Sequence, residues 1–168
     1  MVGGKRTVDA EAFVRNGWTI LPHAALLEQL DVLVAQVTRR GPDSEAGKVL
    51  KWALQSIFED IPRDPENSYY RHGGMMGKAY TGWFRDKYAG RFRLFFRYNR
   101  DTKEIIPAWI NDENTKRTRG AKNDAYAVFK RRLDSGNPPN DWNELREEVS
   151  DPTLFQRLLA IMDRRRGN

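Results

Sequence analysis

Apolar residues recur with the helical period through the first third of the chain. The first stripe is Leu26, Leu30, Leu33 and Val37, and the second is Leu50, Leu54, Ile57 and Ile61. Residues spaced three or four apart share one face of a helix, so each stripe predicts an amphipathic helix. Gly41-Pro42 ends the first helix, and Pro62 ends the second. We therefore predict an antiparallel helical hairpin over one side of a sheet, preceded by a short strand at Trp18–Leu21.

The middle of the chain predicts three consecutive strands. They are Trp83–Tyr88, Arg91–Tyr98 and Glu104–Ile110, and the connections between them are short. Short connections favour an antiparallel meander. Pro107 cannot donate a backbone hydrogen bond, so we expect an edge, a bulge or an irregular end at that position.

The second of these strands has two faces of different chemistry. Phe92, Leu94, Phe96 and Tyr98 alternate with Arg91, Arg93, Phe95 and Arg97. Because side chains alternate along a strand, one face is apolar and the other presents guanidinium groups. We expect the apolar face to pack on helices and the arginine face to be displayed to a polyanion.

The C-terminal third predicts helices only. Asn123 or Asp124 caps a helix that ends near Gly136, a short helix follows around Leu145, and Asp151-Pro152 begins a last one. The order of elements indicates a single α+β domain over residues 1–168. Within it, we expect residues 1–16 to be flexible and residues 150–168 to form an additional C-terminal helix.

Charge is distributed unevenly along this chain of net charge +6. Trp83 to Arg132 contains 14 Lys and Arg against 6 Asp and Glu, whereas the remainder contains 15 against 17. The whole positive excess therefore lies in one stretch, which favours a phosphate-binding surface over a merely solvated charged face.

Composition excludes several kinds of protein. The chain has no cysteine and two histidines, so disulfides and Cys-ligated zinc are excluded and a His-based metal site is not expected. No apolar run is long enough to span a membrane, and the first residues lack the apolar core of a secretory signal. We expect a cytoplasmic protein without metal, cofactor or membrane contact.

Four segments between Tyr70 and Leu145 carry a family resemblance. They are Arg71-His72-Gly73, FRDKYAGRFRLFFRY, WINDENTKRTRGAKNDAYAVF and GNPPNDWNEL. The chain resembles the YhaV toxins of type II toxin–antitoxin systems, which belong to the RelE/ParE superfamily. Phe92 departs from the pattern, because a tyrosine is common there, and the chain beyond Val149 exceeds the usual end of the family.

The resemblance implies a RelE-like antiparallel sheet packed against the N-terminal helical hairpin. It implies a metal-independent endoribonuclease that cleaves mRNA in association with the ribosome and inhibits growth until its antitoxin binds. The implied antitoxin is AbrB-like, of the PrlF type, and the complex binds operator DNA. Two alternatives stay open: a non-catalytic nucleic-acid-binding module, and a ParE-like gyrase poison on the same fold.

The resemblance also implies the catalytic residues Arg85, Lys87, Arg93, Arg117 and Tyr126. Arginine stays protonated and clamps phosphate, so the three arginines would stabilise the charge of the phosphorane. Lys87 is the candidate for proton transfer, because neighbouring cations favour its neutral form. Tyr126 could orient the attacking hydroxyl group or stack on a base.

Convergence of these residues depends on the hairpin between the first two strands. A three-residue loop at Tyr88–Gly90 would place Lys87 opposite Arg91 and Arg85 opposite Arg93. All four cations would then share one face of the sheet. A two-residue loop would bury Arg85 and Lys87 on the apolar face, where unpaired charges are costly.

Further candidates surround this set. Arg91, Arg97, Arg119 and Lys122 are candidates for RNA binding, and His72 and Asn111 are two more site candidates. His72 could be a general base, but a loop-fixing role is the stronger interpretation. We expect Asp112 and Glu113 to neutralise loop arginines such as Arg117 or to fix the loop backbone.

Overall fold

The computed structural model describes residues 13–167 and confirms the α+β class. The strands are β1 (Val14–Arg15), β2 (Trp18–Ile20), β3 (Phe84–Tyr88), β4 (Phe92–Asn99) and β5 (Glu104–Ile110). The main helices are α1 (Ala24–Arg40), α2 (Glu45–Gln55), α3 (Ile61–Arg63), α4 (Ala125–Asp134), α5 (Trp142–Glu148) and α6 (Pro152–Gly167). None of the described helices is long and apolar enough to cross a membrane.

The five strands form one sheet in the order β1-β2-β5-β4-β3. Strands β3, β4 and β5 form the predicted antiparallel meander. Strand β2 was predicted, but not its parallel pairing with β5, in which Thr19 lies opposite Glu104. Strand β5 is therefore internal, and Pro107 lies at a bulge, where Phe95 pairs with Trp109 and Phe96 with Pro107.

One face of the sheet packs against α1 and α2. Leu94 and Phe96 are fully buried on this face, and Trp52 of α2 stacks on Tyr88 at 5.3 Å between ring centroids. Helix α2 continues into a π-helical turn, Ser56–Asp60. This is the apolar face that the alternation along β4 predicted.

Helix α4 covers part of the opposite face of the sheet. The ring of Phe129 stacks on Phe95 at 4.2 Å and on Trp109 at 5.6 Å, and Trp83 packs edge-on against it at 5.0 Å. All four side chains are buried. The arginine face was expected to be displayed to a polyanion, and this is wrong for the part that α4 covers. Alternation shows which side chains share a face but not what covers that face.

The β3–β4 hairpin differs from the predicted register. Tyr88 pairs with Phe92, Lys87 with Arg93 and Arg85 with Phe95, so the three-residue loop is Ala89–Arg91. Ala89 and Gly90 have φ of +53° and +73°, which this loop requires. The partners of Lys87 and Arg85 were thus predicted wrongly, but both side chains share the face of Arg93, as expected.

The two ends of the described chain contact each other. The ring of Phe13 is fully buried and stacks on Phe155 of α6 at 4.9 Å. Phe13 is buried, Val14 and Arg15 form β1, and the flexibility expected for residues 1–16 stays a prediction. Residues 1–12 of that segment lie outside the described residues. Helix α6 confirms the predicted helix after Asp151.

Candidate active site

Tyr126 lies at the centre of three arginines, which we call the arginine cluster (Arg85, Arg93 and Arg117). Arg85 Nε donates to the Tyr126 hydroxyl at 2.7 Å, and Arg93 Nε donates to the same oxygen at 3.2 Å. The guanidinium of Arg117 lies over the Tyr126 ring, 5.0 Å from its centroid. The structure thus brings together four of the five side chains predicted to be catalytic.

The secondary structure explains why these side chains converge. Lys87 of β3 lies directly opposite Arg93 of β4, so the two side chains share one face of the sheet. Arg85 is two residues from Lys87 along β3 and therefore projects from the same face. Tyr126 lies in the first turn of α4, where the side chain of Asp124 caps the helix by accepting from the Tyr126 amide at 3.0 Å. The helix start therefore holds the phenol against the sheet.

Asp124 also holds Arg117. Its Oδ1 accepts from Arg117 Nη1 at 2.6 Å and from the amide of Thr118 at 2.7 Å. The side chains of Arg117 and Asp124 are only 12% and 6% exposed. Asp112 and Glu113 were expected either to neutralise loop arginines such as Arg117 or to fix the loop backbone. Arg117 pairs with Asp124 instead, and Glu113 pairs with Arg40 at 3.0 Å. Asp112 Oδ1 accepts from the Asn114 amide at 2.9 Å, which matches the second of the two roles.

Asn111 fastens the loop that carries Arg117 to strand β4. Its Oδ1 accepts from the Arg93 amide at 2.7 Å, and its Nδ2 donates to the carbonyls of Arg91 at 3.0 Å and Thr115 at 2.8 Å. The amide of Arg117 adds a bond to the Arg91 carbonyl at 2.8 Å. The buried Asn111 side chain therefore positions the loop through the backbone, which leaves it no free donor for a substrate.

The arginine cluster carries more charge than its contacts balance. Arg85, Arg93 and Tyr126 are 9%, 8% and 5% exposed. Among the described residues, Asp124 is the one carboxylate that forms an ion pair with the cluster. Three guanidinium groups close together with one carboxylate are costly in isolation, and an anion placed among them would relieve that cost.

Lys87 extends the cationic surface beyond the cluster. It is partly exposed, and its Nζ lies 4.8 Å from the ring centroid of Tyr69. The carbonyl of Tyr69 accepts from Arg85 Nη1 at 2.8 Å. Tyr69 was not among the predicted site residues, because its one signal in the sequence is an aromatic residue in the Tyr- and Gly-rich segment before β3.

The four residues predicted to bind RNA divide into two groups. Arg91, Arg119 and Lys122 are exposed, in the turn and the loop beside the cluster. Arg97 is not, because its guanidinium lies between the rings of Trp83 and Trp142, 5.7 Å from each centroid, and donates to the Asn140 carbonyl. Its position therefore assigns Arg97 to packing between the sheet and α5.

His72 is buried away from solvent with both ring nitrogens engaged. Its Nδ1 lies 3.1 Å from the Met75 amide, and its Nε2 lies 3.2 Å from the Tyr80 carbonyl. Burial lowers the pKa of His72, and the charge of Arg85 lowers it further. A neutral imidazole that bonds the backbone on both sides matches the loop-fixing interpretation.

Within residues 13–167, no group of three or more histidine or carboxylate side chains is placed to hold a metal ion. The arginine cluster, Tyr126 and the adjacent Lys87 bring together guanidinium, phenol and ammonium groups. Such groups can bind a phosphate, stabilise added negative charge on it and donate a proton.

Comparisons with known proteins agree with this chemistry. The model of the family Toxin_YhaV, described as a toxin with endonuclease activity of a toxin–antitoxin system, matches residues 20–150. Ribonuclease toxin YhaV of Escherichia coli K12 is 43% identical over 145 residues, which cover 81% of this chain and 94% of the relative. Toxin YhaV of Escherichia coli O157:H7 gives the same figures. No solved structure matches the chain significantly.

Proposed function

The chain belongs to the YhaV family of toxins from toxin–antitoxin systems, and on that premise we propose that it cleaves RNA at the arginine cluster around Tyr126. The protein is an endoribonuclease toxin, with an antitoxin as its partner and RNA as its substrate. The observation that supports this location is the Tyr126 hydroxyl, which accepts hydrogen bonds from two arginines at once.

Those two bonds limit what the hydroxyl can do. A phenol offers one proton to donate and a small number of lone pairs to accept with. Because Arg85 and Arg93 occupy its acceptor side, the remaining capacity of Tyr126 is to donate its proton. Tyr126 therefore acts as a donor, to a phosphate oxygen or to the leaving 5′-oxygen, rather than as a base.

The arginines supply the electrostatic part of the mechanism. Attack of a ribose 2′-hydroxyl on the adjacent phosphate adds negative charge at the phosphorus, and preorganised donors aimed at that charge lower the barrier. Arg85, Arg93 and Arg117 are held before substrate arrives by Tyr126 and Asp124, so little reorganisation is needed. Lys87, beside Arg93 on the same face, is the group that takes the proton from the 2′-hydroxyl through its neutral amine form, and Tyr126 supplies a proton to the leaving 5′-oxygen.

The finer biological assignments are part of this proposal. The RNA is mRNA, cleaved in association with the ribosome in the cytoplasm, and cleavage inhibits growth. The antitoxin is AbrB-like, of the PrlF type, and its complex with the toxin binds operator DNA. The sheet and the pair α1–α2 correspond to a RelE-like sheet with its N-terminal helical hairpin. Support for these points is the family match over residues 20–150.

Cleavage and binding of a labelled RNA by Tyr126→Phe test the location of the site. The variant keeps the ring over which Arg117 lies and removes only the hydroxyl. We expect the RNA affinity of the variant to stay within about tenfold of wild type, because a phosphate contact contributes modestly to binding. We expect its cleavage to be slower by about 10²–10³-fold.

Cleavage by wild type should persist in EDTA and stop when the ribose 5′ to the cleaved bond lacks its 2′-hydroxyl.

Tyr98→Phe is the matched control, because Tyr98 lies on the opposite face of β4 with its ring against Trp18 and Phe84. It should cleave like wild type. If affinity and cleavage fell in proportion in Tyr126→Phe, the surface would be a binding module. If wild type poisoned gyrase without cutting RNA, the ParE-like alternative would replace this proposal.

A further inference from the structure

Tyr69 presents a large aromatic surface to solvent beside the arginine cluster. It is 50% exposed, whereas its neighbour Tyr70 is buried and packs edge-on against Phe96 at 5.3 Å. A ring that served only the core would be covered as Tyr70 is. An exposed aromatic side chain next to a nucleic-acid site is the kind of surface on which a base stacks.

The backbone of Tyr69 is fixed relative to the cluster from two sides. Its carbonyl accepts from Arg85 Nη1 at 2.8 Å, and its amide donates to the side chain of Asn67 at 2.9 Å. The Tyr70 ring also contacts the Tyr69 ring edge-on at 5.5 Å. The ring of Tyr69 is therefore held close to the guanidinium of Arg85, which bonds the carbonyl of the same tyrosine.

Lys87 connects the ring with the cluster. Its ammonium group lies 4.8 Å from the Tyr69 centroid, while its backbone pairs with that of Arg93. A lysine over an exposed ring gains only a small attraction, so its side chain can move off the ring at little cost. The ring of Tyr69 therefore lies beside two cationic residues, Lys87 and Arg85, and a base stacked on it would bring its neighbouring phosphate near the arginine cluster.

We propose that Tyr69 stacks on the base of the nucleotide next to the scissile phosphate and thereby sets which bond is cut. The proposal rests on the proposed function, because it places the scissile phosphate at the arginine cluster. Since a base must be unpaired to stack on a side chain, cleavage is confined to single-stranded RNA.

The test is single-turnover cleavage of a short RNA by wild type and by Tyr69→Leu. The same RNA is also prepared with an abasic nucleotide beside the cleaved bond, so each enzyme is measured on both substrates. Leucine keeps apolar bulk and removes the aromatic face. We expect kcat/KM on the normal RNA to fall about tenfold or more in Tyr69→Leu. The abasic RNA should cost wild type a similar factor and should cost Tyr69→Leu almost nothing further, because both changes remove one contact.

Two further variants separate stacking from folding. Tyr69→Phe restores the ring and should recover most of the loss. Met75→Ala changes another exposed apolar residue of the same irregular segment, 46% exposed, and should cleave like wild type. Mapped cut sites should also redistribute among bases in Tyr69→Leu, and not in Met75→Ala.

The proposal is overturned if Tyr69→Leu cleaves as fast and at the same positions as wild type. It is also overturned if the abasic RNA costs Tyr69→Leu as much as it costs wild type, since the ring would then not contact that base. Failure of wild type to cleave any RNA would instead refute the proposed function.

Discussion

Replacing Arg85 by methionine tests whether the arginine cluster carries unbalanced charge. Arg85 Nε and Arg93 Nε lie 2.7 and 3.2 Å from one oxygen, so the two nitrogens are at most about 6 Å apart. With an effective dielectric constant of about 20, two unit charges at that distance repel by about 3 kcal/mol. Removing Arg85 relieves this repulsion.

The same substitution removes two hydrogen bonds, to the Tyr126 hydroxyl and to the Tyr69 carbonyl. Each hydrogen bond with a charged donor contributes about 1.5–3 kcal/mol to stability. The two bonds together contribute about 3–6 kcal/mol and the relief is about 3 kcal/mol, so we expect the free energy of unfolding of Arg85→Met to fall by at most about 3 kcal/mol. Cleavage should nevertheless fall by about 10²–10³-fold.

Arg117→Met is the matched control for stability. Arg117 is the partner of Asp124, and its removal leaves a carboxylate that is 6% exposed without its counter-ion. Breaking a buried pair in this way costs about 3–5 kcal/mol. Urea unfolding followed by tryptophan fluorescence gives both stabilities, and single-turnover cleavage of a labelled RNA gives both activities.

If Arg85→Met loses as much stability as Arg117→Met, the cluster is electrostatically balanced without substrate, and the claim of unbalanced charge is refuted. If Arg85→Met still cleaves RNA at the wild-type rate, the catalytic role of the cluster is refuted. In that case the cluster would be a structural core and the chemistry would lie elsewhere.

Three further predictions concern residues outside the cluster. Arg97→Ala should lose about 2–4 kcal/mol of stability, because it empties the space between Trp83 and Trp142, and should still cleave RNA. The pKa of His72 is lowered in the folded protein, so the unfolded chain binds a proton more readily than the folded protein does. The free energy of unfolding should therefore fall as pH drops below about 6.5. His72→Gln should reduce that dependence in urea unfolding between pH 7 and 5. Burial raises the pKa of Asp86, so its contribution to stability falls as pH rises above about 4, and the stability of Asp86→Asn relative to wild type should increase over the same rise in pH.

Much of the sheet was predictable because its information is local. Alternation along β4 and the short connections fixed the meander, and they placed Arg85, Lys87 and Arg93 on one face. The helical period located α1 and the residues of α2. Arg117 and Tyr126 were predicted as site residues from the family resemblance, since no spacing rule connects a loop residue with the start of a helix.

Other features depend on contacts between distant segments, and local patterns do not encode them. The alternation that placed Arg97 beside Arg93 could not show that Trp142 of α5 would cover it. The hairpin register depended on Ala89 adopting a positive φ, which is uncommon for a residue with a Cβ atom. The exposed ring of Tyr69 depends on an irregular segment whose path no periodicity describes.

The parallel pairing of β2 with β5 has a consequence for the time at which the enzyme becomes competent during synthesis. Thr19 cannot meet Glu104 until both have left the ribosome, and contacts between such distant residues form slowly. Tyr126, which holds the arginines in place, is made later still. Translation at about 5–20 residues per second therefore gives the nascent chain several seconds in which its first helices exist without a cleavage site.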